Sequence, residues 1–460
     1  MVDAYFAVVA AKSLGWTLAV TAFLGVLTAY TVWRLLGLST QRKLLLCLAT
    51  LSVAFIPDIV PSLTLQRVCP RFPAWAGLFL AHVCSGFPFL LIAGVLLARQ
   101  FETSDCLAAR LLLPPARRFW RVFLPAFVQS AFPVLAFLFL WNFHNFSLPA
   151  LWEIELMPNY LFAEFNTYCS FAPFFVKIAC VVAVLLAVLL VSARLLGRNR
   201  LPAASHEQAV MGGTRLAPAV IIGVWLLITL VFPAAYWSAH LIGTRHLVVW
   251  SKVFDCWWYT LAVIATTATI AVAAAVLLSS LARVSGAVAR GLFVGVYAVG
   301  PVAIAVLALW LFSRVPGLTG FTGTSVPLLT ALAVHYVPFA LLLYAFARLR
   351  IHPNVWRAAD LLLNTRWRRL ARVELPLLAP VLFVVVVLIG SFVSRDIDTS
   401  ILLVPAGRSL LPTRLHLLLH YGDFATLAVL VATYLLLMLC GLSALYLVSR
   451  TLIRYGYIED

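Results

Sequence analysis

Apolar residues fill most of the chain in long runs, and arginine, glutamate and proline collect in the short stretches between them. A segment that crosses hydrocarbon must satisfy its own backbone hydrogen bonds over about 30 Å, which takes roughly 20 apolar residues in a helix. Eleven stretches meet that length, at about 13–37, 43–65, 74–98, 121–142, 173–196, 216–240, 257–282, 287–313, 325–347, 376–394 and 424–449. The longest intervals between them, around 143–172 and 395–423, are too short for an independent folded unit but long enough for re-entrant or surface helices. The pattern predicts an all-α polytopic membrane protein with about 11 transmembrane helices and no soluble domain.

Composition agrees with that solvent. Hydrophobic residues make up 64% of the chain and charged ones 11%, and the mean hydropathy of +1.04 exceeds what a water-soluble domain of this length could hide. Enzyme signatures are missing: there is no G-x-x-x-x-G-K-[ST], no H-E-x-x-H and no G-x-S-x-G. An enzyme reading therefore gets little support, and no cofactor is expected. Its eight cysteines are scattered singly, with no metal-site spacing. Cys69, Cys169 and Cys256 fall near one face, as lone thiols or as partners in a disulfide. The first 12 residues lack the build of a cleaved secretory signal, so the first span is expected to remain as an anchor.

One pattern occurs twice, about 250 residues apart: Thr17–Val20 and Thr260–Val263 both read TLAV, Pro88-Phe89 matches Pro338-Phe339, and Ala108-Ala109 matches Ala358-Ala359. The Pro-Phe to Ala-Ala distance is 20 residues in both copies, and each copy then runs through arginines into Val-x-Leu-Pro, at Val122–Pro125 and Val373–Pro376. This is an internal duplication. It divides the chain into a first module over 1–200 with about five spans and a second over 201–460 with about six. The extra span, near 216–240, leads the second module.

Lys and Arg flanking short loops are retained on the cytoplasmic side. Segment 98–121 holds five of them and segment 348–372 seven, whereas Trp141–Ala172 holds Glu153, Glu155 and Glu164 and none. Both Ala-Ala loops are thus expected inside, with the N-terminus outside and the C-terminus in the cytoplasm. The net charge of +17 is then mostly a topology signal with some attraction to anionic lipid of the bilayer, and no nucleic acid partner is expected. The loops themselves have two readings. They are docking elements, in which small residues let a short helix press against a partner, or they are basic loops that only enforce topology. Recurrence at matched spacing favours the first.

With those residues in view, the chain resembles the fused, two-module permease subunits of binding-protein-dependent ABC importers, of the ferric-iron type. Arg357-Ala358-Ala359-Asp360 onward to Val373-Glu374-Leu375-Pro376 is similar to that family's cytoplasmic signature, Glu-Ala-Ala-x-x-x-Gly followed by Leu-Pro. Thr399 to Arg408, leading into Arg414-Leu415-His416 and His420-Tyr421-Gly422, is similar to its ferric-iron branch. The resemblance covers nearly the whole chain and implies a type I importer permease in a bacterial inner membrane. It implies as partners two copies of a cytoplasmic ABC ATPase subunit and a periplasmic or extracellular solute-binding protein that delivers a small solute such as iron(III). In that family the loop forms a coupling helix seated on the ATPase. The residues carried over are Ala358, Ala359, Leu375 and Pro376, with Ala108, Ala109, Leu124 and Pro125 in the first copy. Arg357 and Leu107 replace the family's glutamate, and Leu363 and Leu113 its glycine, which would let the backbone break between two short helices.

Ionisable residues within the membrane are costly unless they face a cavity or a partner. Asp58, between Pro57 and Pro61, and Arg395, Asp396 and Asp398 after the tenth span are the candidates for a translocation path. A hydrated interfacial acid and a surface ion pair are the plainer alternatives, and Glu164 and Lys177 invite the same caution. His416 and His420 share a helix face at a spacing that can hold a metal, without a third ligand. An ion-coupled secondary transporter also explains an internal repeat, and the altered signature keeps open a degenerate permease acting as scaffold or sensor.

Overall fold

Each N–H of a membrane segment has to close onto its own helix, because hydrocarbon offers no other acceptor. The computed structural model describes residues 4–35, 50, 56–97, 113–197, 216–244, 248, 250–280, 285–363, 365–421 and 423–454, and it contains no β-strand among them. The chain forms two compact units, one of Met1–Arg245 with Val431–Leu442 and one of His246–Leu430 with Ser443–Glu459. In chain order the first unit contains α1 (Ala4–Leu35), α2 (Ile59–Val68), α3 (Ala74–Leu97), α4 (Pro115–His144), α5 (Ser147–Leu151), α6 (Met157–Tyr168), α7 (Phe171–Gly197) and α8 (Ala217–Thr244). The following helices are α9 (Trp250–Ser280), α10 (Gly286–Val299), α11 (Pro301–Arg314), α12 (Val326–Arg350), α13 (Pro353–Leu362), α14 (Arg366–Val393), α15 (Ser400–Leu403), α16 (Leu411–Tyr421) and α17 (Phe424–Arg454).

Among the described residues eight helices are long and apolar enough to cross a membrane, in α1, α3, α4, α7, α8, α9, α12 and α14. The span expected at 287–313 is not continuous: α10 and α11 meet at 86°. Gly300 makes the bend at φ 82°, open to a residue without Cβ, and Pro301 has no N–H to extend the preceding helix. Counted as one span, the pair raises the total to nine. Much of the expected span at 43–65 lies outside the described residues, and α2 is its visible end. The last expected span lies in α17, of which Phe424–Leu436 is a shorter apolar helix.

Three of the crossing helices contain a five-residue π turn, at Phe119–Phe123 in α4, Leu227–Val231 in α8 and Leu370–Glu374 in α14. Each runs into a Leu-Pro or Phe-Pro pair, at Pro125, Pro233 and Pro376. The cause is local. A proline has no N–H for the carbonyl four residues back and its ring crowds that carbonyl, and widening the helix by one residue just ahead of it relieves both at these three positions.

Small residues bring the first-unit helices close. A Cβ on Gly94 of α3 would lie 2.7 Å from Val32 of α1 and 2.9 Å from Phe127 of α4, so glycine sets that approach. Helix α8, which the sequence places at the head of the second module, packs within the first unit. Its Trp225 Nε1 donates to the Cys84 carbonyl at 3.1 Å and its Trp237 Nε1 to Thr64 Oγ1 at 2.9 Å.

The short helices are tied down alike in both units. Met157 N, opening α6, donates to Ser13 Oγ of α1 at 2.8 Å, and Leu411 N, opening α16, donates to Thr260 Oγ1 of α9 at 2.9 Å. A helix's first N–H groups have no partner of their own, and a hydroxyl on the long helix supplies one. Cys69, Cys169 and Cys256 are free thiols.

Candidate functional site

The second Ala-Ala segment lies in α13. Its first turn is set by Pro353 at the opening position and by His352, whose ring nitrogen accepts from Asn354 N at 3.3 Å. The helix stops where Leu363 turns extended, at φ −121° and ψ 109°. Thr365 then caps the start of α14 by accepting from Arg368 N at 3.3 Å. The chain breaks here at an extended leucine, a backbone conformation that any side chain tolerates. Ala359 is buried and Leu363 half-buried, while Arg357, Ala358, Leu375 and Pro376 are exposed. Leu361, Leu362 and Trp367 stand out at 84%, 80% and 62% exposure.

Beneath that surface lies a buried charge cluster. Glu374, the acid of Val-Glu-Leu-Pro, is fully buried, and its Oε1 lies 3.1 Å from Arg369 Nε and 3.5 Å from Arg348 Nη2. Its Oε2 accepts from Ser280 Oγ of α9 at 2.5 Å and from Tyr344 OH of α12 at 3.0 Å. Arg369 also pairs with Asp360 of α13, and the Arg348 guanidinium lies 5.0 Å over the ring of Trp356 on the same helix. Arg348 Nη1 donates to the Ser279 carbonyl at 3.3 Å. Burying a carboxylate is costly without charged partners and hydrogen bonds; here Oε1 faces the two guanidinium groups and Oε2 takes the two hydrogen bonds. The cluster ties α13 at Asp360 and Trp356 to α9, α12 and α14. The sequence marks these residues only as members of a basic loop. The acid directly before Leu-Pro is the signal that could have singled out Glu374.

Ala108 and Ala109 of the first copy lie outside the described residues. Leu113 and Leu124 are half-buried and Pro125 is exposed. Where the second copy has Glu374 before Leu-Pro, the first has Phe123, fully buried and stacked on Phe119 and Phe127 at centroid distances of 6.2 and 6.1 Å. The residue matching Arg369 is Arg118, whose buried Nε has no hydrogen-bond partner among the described residues.

The candidates for a translocation path fall in separate units. Asp58 precedes α2, and its Oδ2 accepts from Ser85 Oγ of α3 at 2.8 Å. Arg395, Asp396 and Asp398 lie together in the turn between α14 and α15, the first two buried and Asp398 half-buried. Asp396 accepts from Thr399 N at 2.8 Å, Thr399 Oγ1 at 3.0 Å and Tyr336 OH of α12 at 3.0 Å. Burial pushes its carboxyl up, and the bonds from Thr399 and Tyr336 act the other way. It organises the turn as much as it charges it. The sequence gives no hint of Ser85 as the partner of Asp58 or of Tyr336 as the partner of Asp396, because these contacts join distant segments. Lys177 of α7 pairs with Glu164 of α6 at 2.5 Å and also donates to Tyr160 at 2.8 Å, a buried tie between two helices.

Among the described residues no group of three or more His, Cys, Asp or Glu is placed to hold a metal ion. No family model matches the chain, and no curated protein does. Its long apolar helices are those of a membrane-embedded protein.

Proposed function

We propose that the chain is the membrane permease of an ABC importer, built of two related modules in one polypeptide and lying in a bacterial inner membrane. The observation that carries this reading is α13: a short amphipathic helix, anchored by Asp360 and Trp356, that leaves Leu361, Leu362 and the neighbouring Trp367 exposed. Exposed apolar side chains gathered on an anchored element suit a protein partner. That partner is a cytoplasmic ATPase, two copies serving the two modules, with α13 as the coupling helix. The basic surroundings support a cytoplasmic position for this face, with the N-terminus outside and the C-terminus inside. The cargo is a small solute, iron(III) or similar, handed over by a solute-binding protein.

Recurrence supports two modules. The Leu-Pro pair follows a π turn in each copy, and α6 and α16 are fixed to long helices by the same kind of hydroxyl bond. The test is a pull-down of the tagged protein from detergent-solubilised native membranes, with ATPase turnover measured on what co-purifies. A stoichiometric ATPase that responds to a binding protein is the expected result. Absence of any ATPase would sink the reading and leave a carrier or a scaffold.

A further inference from the structure

A groove of about 520 Å³ opens between the last turns of α1 and the first turns of α4, walled by Phe23, Tyr30, Trp33, Phe119 and Trp120 and bearing one cation, Arg34. Its volume falls within the range of roughly 300–1,000 Å³ that accommodates a drug-sized molecule. Arg34 is held in place. Its Nε donates to Tyr30 OH at 3.2 Å, and its guanidinium lies 5.1 Å over the Tyr30 ring and 4.8 Å over the Trp33 ring. Arg34 takes part in none of the ion pairs among the described residues. Neither α1 nor α4 contains an acidic residue.

The surroundings add positive potential. Arg117, Arg118 and Arg121 occupy the same turns of α4. In the second copy the equivalent of Arg118, Arg369, is neutralised by Glu374 and Asp360, whereas Phe123 stands where Glu374 would be. A second groove supplies the contrast. At about 530 Å³ it is as large, but it is lined by Ile270, Leu292, Val326, Val334 and their neighbours, with neither a charge nor an aromatic ring. That surface suits any hydrocarbon chain. The Arg34 groove pairs an apolar channel with a pre-set fork of donors, the geometry that binds a phosphate in two-point fashion.

We infer that the Arg34 groove binds an anionic phospholipid, with the phosphate on the Arg34 guanidinium and an acyl chain along Phe23 and Phe119. Basic pockets between membrane helices take such headgroups. The site depends on the chain lying in a bilayer and not on its being an importer.

The test titrates the purified, delipidated full-length protein with dioleoylphosphatidylglycerol or dioleoylphosphatidylcholine and counts bound lipid by native mass spectrometry. The phosphatidylglycerol should bind about tenfold tighter, and R34Q should reduce that preference to within about twofold, with R34K between them. R290Q, which removes an exposed arginine of α10, should leave it unchanged. Equal binding of the two lipids, or an undiminished preference in R34Q, overturns the proposal. So does inorganic phosphate that displaces the lipid at matching concentration. If R34Q is not monodisperse, W120A takes its place. Trp120 is a groove wall 57% exposed, and phosphatidylglycerol binding unaltered by its loss is equally fatal.

Discussion

Arg369 and Glu374 are five residues apart, yet Arg369 Nε lies 3.1 Å from Glu374 Oε1. On an α-helix, side chains meet at spacings of three and four. These two meet because Leu370–Glu374 is a π turn, in which the hydrogen-bond step is five residues. Pro376 is the physical cause, since it withholds an N–H from the Arg372 carbonyl and crowds it. A proline conserving no charge thus sets the register of a buried ion pair.

Removing the acid should be expensive. E374Q leaves Arg369 and Arg348 facing a neutral amide in a buried site, and breaking one side of a buried pair costs about 3–5 kcal/mol. The expected result is a large drop in melting temperature in detergent, set beside a near-neutral R372A at an exposed position. If E374Q melts with R372A, the cluster does not stabilise the fold.

The proline and the ion pair should also be energetically coupled. P376A permits an ordinary α turn, which moves Glu374 off the face of Arg369. In a double-mutant cycle, E374Q should then cost far less in the P376A background than in the wild type, with a coupling of about 1–3 kcal/mol. Additive melting shifts would show that the π turn does not position the pair.

Much of this was legible beforehand, and what was not has identifiable causes. The apolar runs located α1, α3, α4, α7, α8, α9, α12 and α14, because length and hydropathy are properties of a single segment. The bend at Gly300-Pro301 was written in that dipeptide but masked by the apolar residues on both sides. Each π turn precedes a proline, but Pro88, Pro133, Pro338 and Pro380 sit within helices with no π turn just ahead of them, so proline alone does not place the turns. Glu374 was different. Its partners Ser280, Tyr344 and Arg348 come from two other helices, and no local pattern links them. Of the residues proposed for a coupling loop, the second set falls on α13, on its junction with α14 and, at Leu375 and Pro376, within α14 itself, whereas Ala108 and Ala109 of the first lie outside the described residues.

The outer surface of α13 gives a cleaner test of function than its anchor. Leu361 and Leu362 are too exposed to stabilise the chain, so L361E with L362E should shift stability by no more than about 0.5 kcal/mol. The same double variant should abolish ATPase co-purification. Retained ATPase at wild-type stoichiometry would remove α13 from the interface.

Ser13 and Thr260 offer a matched pair of experiments on the repeated construction. Each hydroxyl accepts the opening N–H of a short helix, Met157 N on one side and Leu411 N on the other. S13A and T260V leave those N–H groups unsatisfied in buried surroundings, at a cost of about 1–3 kcal/mol each. The loss is local, because past the first turn the backbone bonds of α6 and α16 close within those helices. Hydrogen exchange should therefore accelerate in the first turn of α6 in S13A and of α16 in T260V, with the long helices α1 and α9 unchanged. Since Ser13 lies one turn before the TLAV repeat and Thr260 lies within it, similar acceleration in both variants would mean that the tie tolerates a shift of one turn. Acceleration in only one would mean that the two short helices are held by different means despite their matching bonds.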